Sequence, residues 1–214
     1  MRLFYYIIYA FVLCLVVSFV VLLYRNNRKA KKRAIHYFDA LYKVLGKPYD
    51  RFVLSEKDKS FLVEHNYSPE AIYHLVVLIM LHLKMPYTEF HIKVKDGTGL
   101  TTAGQYSSQA GSATIEIQVR PYFTGDQVIA VVCHECTHHF LAVKKIKGKN
   151  AETNELLTDY ATIYIGFGDL MKKGYAQVKN KIDGVDKLTN VGYIHTYDIG
   201  VAMKLLPSYL KKES

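Results

Sequence analysis

The feature that most constrains the fold of this chain is a short motif of His and Glu residues within an apolar stretch. His134, Glu135 and His138 follow the order H-E-x-x-H within the apolar region 128–141. On a helix, residues four positions apart project from one face, so both imidazoles can reach the same ion. The apolar neighbours predict that this helix is buried, and a buried pair of His with a Glu needs compensation that a metal ion supplies. The sequence therefore predicts a buried helix built around a metal.

A second apolar segment, at about 151–173, offers the ligand that the first segment lacks. A catalytic zinc usually has three protein ligands and one open position, so two histidines leave one ligand to find. Glu155 lies early in this segment, and Asp159 is four residues further on, on the same helical face. We expect Glu155 to complete the ligand set and Asp159 to orient a ligating imidazole by accepting its hydrogen bond. Glu135 would then lie beside the open position as a general base.

Flanking residues predict how the two helices are joined. The sequence Thr-Gly-Asp-Gln at 124–127 has the capping-box pattern and predicts the start of the first helix. Gly148 is the expected stop of that helix, after which the chain returns antiparallel. Two turns beyond His138 rise only about 10 Å, so the returning helix can bring Glu155 back to the histidines.

The sequences H-E-C-T-H at 134–138 and N-E-L-L-T-D at 154–159 together resemble the gluzincin metallopeptidases, the thermolysin-like group. In that family, H-E-x-x-H is followed about one helical hairpin later by N-E-x-x-S/T-D. The resemblance covers 134–159 and implies a minimal form of the family, since the rest of the chain shows no large additional domain. It implies a zinc site and its catalytic groups: zinc ligands at His134, His138 and Glu155, a base at Glu135 and an orienting carboxylate at Asp159.

Other residues near the motif have less specific patterns. Cys133 and Cys136 have C-x-x-C spacing, but both lie within the predicted helix and no second Cys pair completes a structural zinc site. We expect them to pack as small apolar side chains. His139 must point away from the face of its neighbour His138, so it is not expected to be a ligand.

The first part of the chain predicts a membrane anchor. Residues 3–24 carry no charge, and as a helix they would span about 33 Å, enough for the hydrocarbon core of a bilayer. A cleaved signal peptide is the alternative, with a basic start, a shorter apolar region and a small-residue exit. Only Arg2 precedes the apolar run, and Arg25 follows it directly, which favours a single membrane-spanning helix.

Charge on the two sides of this helix predicts its orientation and its lipid contacts. A dense basic run follows it: Arg25, Arg28, Lys29, Lys31, Lys32 and Arg33. The positive-inside rule places the domain after this run in the cytoplasm, with an extracytoplasmic domain as the alternative. Residues 25–33 account for most of the net charge of +9 and predict contact with anionic headgroups, worth about 1 kcal/mol per cation. Because the charge is juxtamembrane, no nucleic-acid partner is expected.

Residues 34–214 are enough for one further domain with its own core. Helices are predicted at 34–45 and from Ser68-Pro69, where Ser is a good N-cap and Pro a good first residue. Alternation of apolar and polar residues at 90–95 and 114–119 predicts two strands. The expected fold class is α+β: an N-terminal transmembrane helix, then a small zincin-like domain with an antiparallel β portion and an active-site helix hairpin.

Two regions of this domain have open assignments. The Gly- and Ser-rich residues 97–111 predict either a mobile lid or a linker between the strands. The strand at 114–119 directly precedes the metal-binding helix, and the resemblance implies that it pairs with an extended substrate. An ordinary half-exposed strand is the alternative.

The C-terminal segment contains candidates for stabilising a developing oxyanion. A hydrolase that attacks a carbonyl needs a hydrogen-bond donor for the oxyanion besides the metal. Tyr193, His195 and Tyr197 could each supply it if this segment folds over the metal.

Together these features predict a membrane-anchored, zinc-dependent metallopeptidase. Its Zn²⁺ would activate a water that Glu135 deprotonates as it attacks a peptide bond. The anchor favours polypeptide substrates at or near the membrane. The alternative is a regulatory or structural zinc-binding membrane protein with little or no turnover.

Overall fold

Seven helices and two small sheets make up the part of the chain that the structure describes, in an α+β arrangement. The computed structural model describes residues 2–96, 103–109, 111–119, 123–176, 178–182, 185–189 and 191–212. The helices are α1 (Arg2–Leu45), α2 (Glu56–Glu64), α3 (Pro69–His82), α4 (Gly125–Val143), α5 (Ala151–Thr162), α6 (Gly168–Gly174) and α7 (Thr196–Leu210). The strands are β1 (Glu89–Asp96), β2 (Gly104–Gln109), β3 (Ser112–Val119), β4 (Val178–Ile182) and β5 (Val185–Thr189).

Helix α1 has two halves in different surroundings. Large apolar side chains from Phe11 to Tyr24 are 44–67% exposed, whereas Ala34, Phe38 and Leu41 are fully or almost fully buried in the core. By length and composition the helix could cross a membrane, and a signal sequence would meet the same criterion. The predicted helix at 34–45 is therefore the C-terminal part of one long helix.

The three-stranded sheet is mixed, in the order β1-β3-β2, so the prediction of an antiparallel β portion is wrong for its first pair. Strands β1 and β3 pair in parallel, and β2 pairs antiparallel with β3. The chain reverses direction in β2 and again in β3, so β3 runs in the same direction as β1 and pairs with it. Residues 97–111 are thus not a simple lid or linker, because 104–109 form β2; residues 97–102 and 110 lie outside the described residues.

Strand β3 occupies the centre of this sheet. Its neighbours on the two sides are β1 and β2, so its backbone groups are already paired. The expectation that residues 114–119 pair with an extended substrate is therefore wrong, since substrate pairing requires a free edge. Strands β1 and β2 lie at the two edges of this sheet.

The helix hairpin forms as predicted at its start and differs at its turn. Thr124 and Gln127 form the capping box of α4, which confirms the predicted start. The helix ends at Val143. Two residues later Lys145 has φ 57°, and Ile146 N–H donates to the Leu141 carbonyl (2.9 Å) in a Schellman motif. Gly148 is therefore not the stop; its N–H instead donates to Asn154 Oδ1 (3.0 Å).

The second helix of the hairpin does not continue to Lys173. Helix α5 ends at Thr162, and a kink within Ile163–Phe167, where Ile165 and Gly166 have non-helical backbone angles, leads into α6. Gly166 within this kink has φ +102°, and a Cβ there would lie 2.1 Å from the Asp50 carbonyl oxygen. Close packing against an unrelated loop thus breaks the helix, a contact that apolar periodicity does not encode.

Helix α3 packs against α4. Ser68 caps its N-terminus and Pro69 is its first residue, which confirms the predicted start. Its buried face includes Ile72, Leu75 and Ile79. Through these contacts, α3 supports α4 from behind and leaves the opposite face of α4 for the site.

Candidate metal centre

Three side chains from α4 and α5 converge on one point. His134 Nε2 lies 3.1 Å from Glu155 Oε2, His138 Nε2 lies 3.2 Å from the same oxygen, and the two Nε2 atoms are 3.1 Å apart. Tetrahedral ligands at about 2.0–2.1 Å from a zinc ion would lie about 3.3 Å from one another. The triangle of ligand atoms therefore has nearly the size that one such ion requires, and the group could hold a metal.

Charge in this group favours a cation at its centre. Burial lowers the pKa of His134, but hydrogen bonds to Asp159 and Glu155 outweigh burial and raise it to about 10. Burial likewise raises the pKa of Glu155, but its hydrogen bonds to His134 and His138 lower it to about 2. The two carboxylates hold a proton on His134, and a divalent ion can take the place of that proton.

Asp159 supports His134 from behind. It is fully buried, and its Oδ1 accepts from His134 Nδ1 (2.9 Å) and from the Tyr175 hydroxyl (2.6 Å). Its Oδ2 accepts from the backbone N–H groups of Tyr193 (2.9 Å) and Ile194 (3.1 Å). When a metal replaces the proton on Nε2, the other proton stays on Nδ1 with Asp159, and the lone pair of Nε2 points at the centre.

His138 has a weaker support of the same kind. The Thr158 hydroxyl donates to the Asn154 carbonyl (2.9 Å), so its oxygen can accept from His138 Nδ1 (3.2 Å). This arrangement also leaves Nε2 of His138 free for a metal. Each histidine is thus oriented by a residue of α5, one by a carboxylate and the other by a hydroxyl.

Glu135 lies in the same cleft as the three ligand atoms. It is 5% exposed, and burial raises the pKa of its carboxyl group. The neighbouring Gly104 of β2 makes room for it, since a Cβ at Gly104 would lie 2.5 Å from Glu135 Oε1. The sequence analysis missed Gly104, because its close approach depends on where β2 crosses α4.

The cleft has a volume of about 640 Å³. It lies between β2 on one side and, on the other, the α4–α5 hairpin and residues 191–193, which precede α7. Tyr193 lines it with its ring stacked at 6.0 Å from the ring of His134. Tyr197 and His195 are exposed and are not among the described residues that line the cleft. The remaining walls come from several elements: residues 103–106, Phe123, Val131, Asn154, Tyr175 and residues 191–192.

Two tyrosines near the histidines were missed by the sequence analysis. Tyr106 of β2 lies parallel to the ring of His138 at 6.4 Å, and its hydroxyl is 3.1 Å from His139 Nδ1. Tyr175 reaches Asp159 from the end of α6. With 18 Tyr in the chain, no local pattern marks these two, because their roles depend on contacts between distant segments.

The remaining residues of α4 have packing roles. His139 is 4% exposed and lies against Tyr106 and Phe90, away from the three ligand atoms. Cys133 and Cys136 are buried free thiols, and burial raises the pKa of both. This burial agrees with the expected apolar packing of the two cysteines.

The fold and the site define a mixed α+β chain with a long N-terminal apolar helix and a buried His-His-Glu group that could bind a metal. No family model, no curated protein and no solved structure matches the chain. The functional argument therefore depends on the geometry and chemistry of the site.

Proposed function

We propose that this chain is a membrane-anchored zinc metallopeptidase of the gluzincin type. The observation that carries the proposal is the triangle formed by His134 Nε2, His138 Nε2 and Glu155 Oε2, with edges of 3.1–3.2 Å. Two His and one carboxylate are a donor set of catalytic zinc sites, which keep a position open for water. A structural zinc site would more often use Cys ligands and would not need a buried Glu135 beside it.

The chain's own residues then account for proton transfer and charge stabilisation. Zinc on this ligand set would supply a water of lowered pKa, near 7. Glu135 would accept a proton from that water and pass it to the leaving amine. Its burial raises the pKa of its carboxyl group towards neutral pH. A pKa nearer to neutral favours both the uptake of the proton from water and its delivery to the amine.

Tyr193 is the best placed of the three C-terminal candidates for an oxyanion donor. Its ring stacks on His134 while 56% of the residue remains exposed, so its hydroxyl is accessible in the cleft. Its backbone N–H is fixed on Asp159, which ties its position to the metal ligands. A hydroxyl held in this way can donate to a developing oxyanion.

An extended polypeptide fits the outer edge of β2, which pairs with no other strand among the described residues. Residues 103–106 of this region line the cleft beside Glu135, and β2 is one of the two edge strands of the described sheet. Backbone pairing along an edge strand binds a peptide without regard to its side chains, and neighbouring pockets then select among sequences. A polypeptide running along β2 would pass its backbone across the metal centre.

Membrane anchoring is supported by the two halves of α1. The exposed apolar half could cross a bilayer, and the second half forms part of the core, so removal of the first half as a signal peptide would cut within a continuous helix. The basic residues at 25–33 favour a cytoplasmic domain and contact with anionic headgroups. Protease protection in sealed membranes would distinguish this orientation from an extracytoplasmic one.

The proposal is tested with the purified full-length chain in detergent and a random peptide library. We expect peptide cleavage, detected by mass spectrometry, that a zinc chelator abolishes and that added zinc restores. Zinc binding without cleavage of any library member would instead favour a regulatory or structural zinc protein. Absence of zinc binding would contradict the proposal altogether.

A further inference from the structure

Helix α1 joins the proposed membrane span to the domain without a break. The helix is continuous over Arg2–Leu45, and Ala30 is already 1% exposed, six residues or about 9 Å beyond Tyr24. Phe38 is buried two turns later. The height of the domain above the membrane is therefore set by a rigid helix, because no flexible linker separates span and domain within this described helix.

Contacts with α1 show which end of α5 is nearer to the membrane. The ring of Tyr160 in α5 stacks on that of Tyr37 in α1 at 4.8 Å. Tyr164, just past the end of α5, donates to the carbonyl of Gly46, just past the end of α1 (2.6 Å). Helix α5 thus runs in the same direction as α1, away from the span. Glu155, five residues before Tyr160, lies up to about 7 Å closer to the membrane than Tyr160 does.

Helix α7 runs in the same direction. Near its start, Asp198 accepts two hydrogen bonds from Arg33 (3.1 and 3.2 Å). Near its end, the Tyr209 hydroxyl donates to Asp39 (2.7 Å), further along α1. The segment with Tyr193 precedes α7 and so lies at the same membrane-proximal end as Glu155.

We infer that the metal centre lies about 10–20 Å beyond the end of the span, by the rise of a helix, and that its substrate is a juxtamembrane segment of another membrane-bound polypeptide. This inference rests on the proposed function. The headgroup layer extends only about 5–8 Å beyond the hydrocarbon core, so the site lies close above the lipid surface. A rigid anchor keeps the site at that height, where extended segments next to membrane spans are concentrated.

Fluorescence quenching tests the placement without any substrate. The full-length chain, with Cys14→Ser, is labelled at Tyr197→Cys or, as the matched control, at Ser208→Cys near the other end of α7. Cys133 and Cys136 are buried and should not react. In phosphatidylcholine–phosphatidylserine vesicles with a headgroup-linked quencher, we expect several-fold stronger quenching at 197 than at 208. Equal quenching, or stronger quenching at 208, would overturn the placement.

A series of test proteins examines the substrate class. One sequence cleaved in the peptide library is placed at increasing distances from the span of a single-span protein, in vesicles with the full-length enzyme. We expect cleavage to peak at one distance and to fall at least tenfold when the sequence lies more than about 40 Å away, about 12 extended residues. Equal cleavage at all distances would overturn the inference and leave the proposed function intact.

Insertions in α1 give the sharpest form of this test. Seven helix-forming residues after Asn26 add about 10 Å and two turns, and should move the preferred cleavage distance outward by about three extended residues. Seven Gly and Ser residues at the same place should broaden the preferred range of cleavage distances, because they remove the rigidity of the helix.

Cleavage of the free library peptide in detergent verifies that both variants fold. An unmoved optimum would contradict the rigid anchor, whereas no cleavage of any peptide by the unmodified enzyme would refute the proposed function itself.

Discussion

The two sides of the histidine pair differ in how completely their polar groups are bonded. Behind His134, Asp159 receives four donors and is fully buried. In front, Glu135 and Tyr193 border a cleft of about 640 Å³. The rear side holds the imidazoles in one orientation, and the front side retains room for a reacting molecule.

This difference is expected of the proposed catalytic site and not of a purely structural one. A structural metal site gains most when every group around it is bonded and closed. A catalytic site needs rigid support behind its ligands and an accessible position in front of them. Substitutions behind the histidines should therefore alter metal affinity, and substitutions in front should alter turnover.

The largest effect is expected for His134→Ala, which affects both sides at once. It removes a ligand and leaves Asp159 buried without its imidazole donor. We expect loss of stoichiometric zinc and a decrease in kcat/KM of roughly 10³-fold or more, measured by metal analysis and peptide cleavage. Circular dichroism serves as the folding control. Retention of one zinc per chain would contradict the ligand assignment.

Tyr193→Phe should affect the front side alone. It keeps the ring on His134 and the backbone N–H on Asp159, and it removes only the hydroxyl. If that hydroxyl stabilises an oxyanion, kcat should fall about 10²-fold with zinc content unchanged. Tyr197→Phe is the matched control and should retain full activity, since Tyr197 does not line the cleft. Equal activity of both variants would remove Tyr193 from the mechanism.

Asp159→Asn should affect the rear side. An amide cannot accept from the imidazole and from two backbone N–H groups as a carboxylate does, so zinc affinity should fall about 10- to 100-fold. Competition with a fluorescent chelator measures this change. Tyr175→Phe removes one donor and leaves the carboxylate, so its loss should be smaller. An unchanged affinity in Asp159→Asn would show that the rear support does not orient His134.

The smallest effect is expected for Thr158→Val, which removes the neutral support of His138. A neutral hydrogen bond contributes about 1 kcal/mol, so zinc affinity should fall roughly fivefold. Thr158→Ser keeps the hydroxyl and should bind zinc as the unsubstituted chain does. A decrease larger than that of Asp159→Asn would reverse the proposed ranking of the two supports.

The sequence predicts the three ligand residues better than the contacts that surround them. The spacing of His134, His138 and Glu155 is a local pattern on two helices, and the capping box at Thr124 marks where the first helix begins. These signals act within a few residues, so periodicity and capping detect them.

The features that the sequence analysis predicted wrongly or missed depend on contacts between distant segments. Strand β2 has a polar Gly- and Ser-containing sequence without apolar alternation, and its pairing with β3 defines it as a strand. The kink between α5 and α6 depends on close packing at Gly166. The N–H groups on Asp159 come from residues more than 30 positions away. Local patterns contain no information on such pairings.

The most direct test of the account compares the unsubstituted full-length chain with its Glu135→Gln variant, by metal content and peptide hydrolysis. The substitution preserves the size of the side chain and leaves all three ligands in place. We predict one zinc per chain in both proteins and hydrolysis only in the unsubstituted chain. Equal hydrolysis by both proteins, or absence of zinc from both, would contradict the central claim.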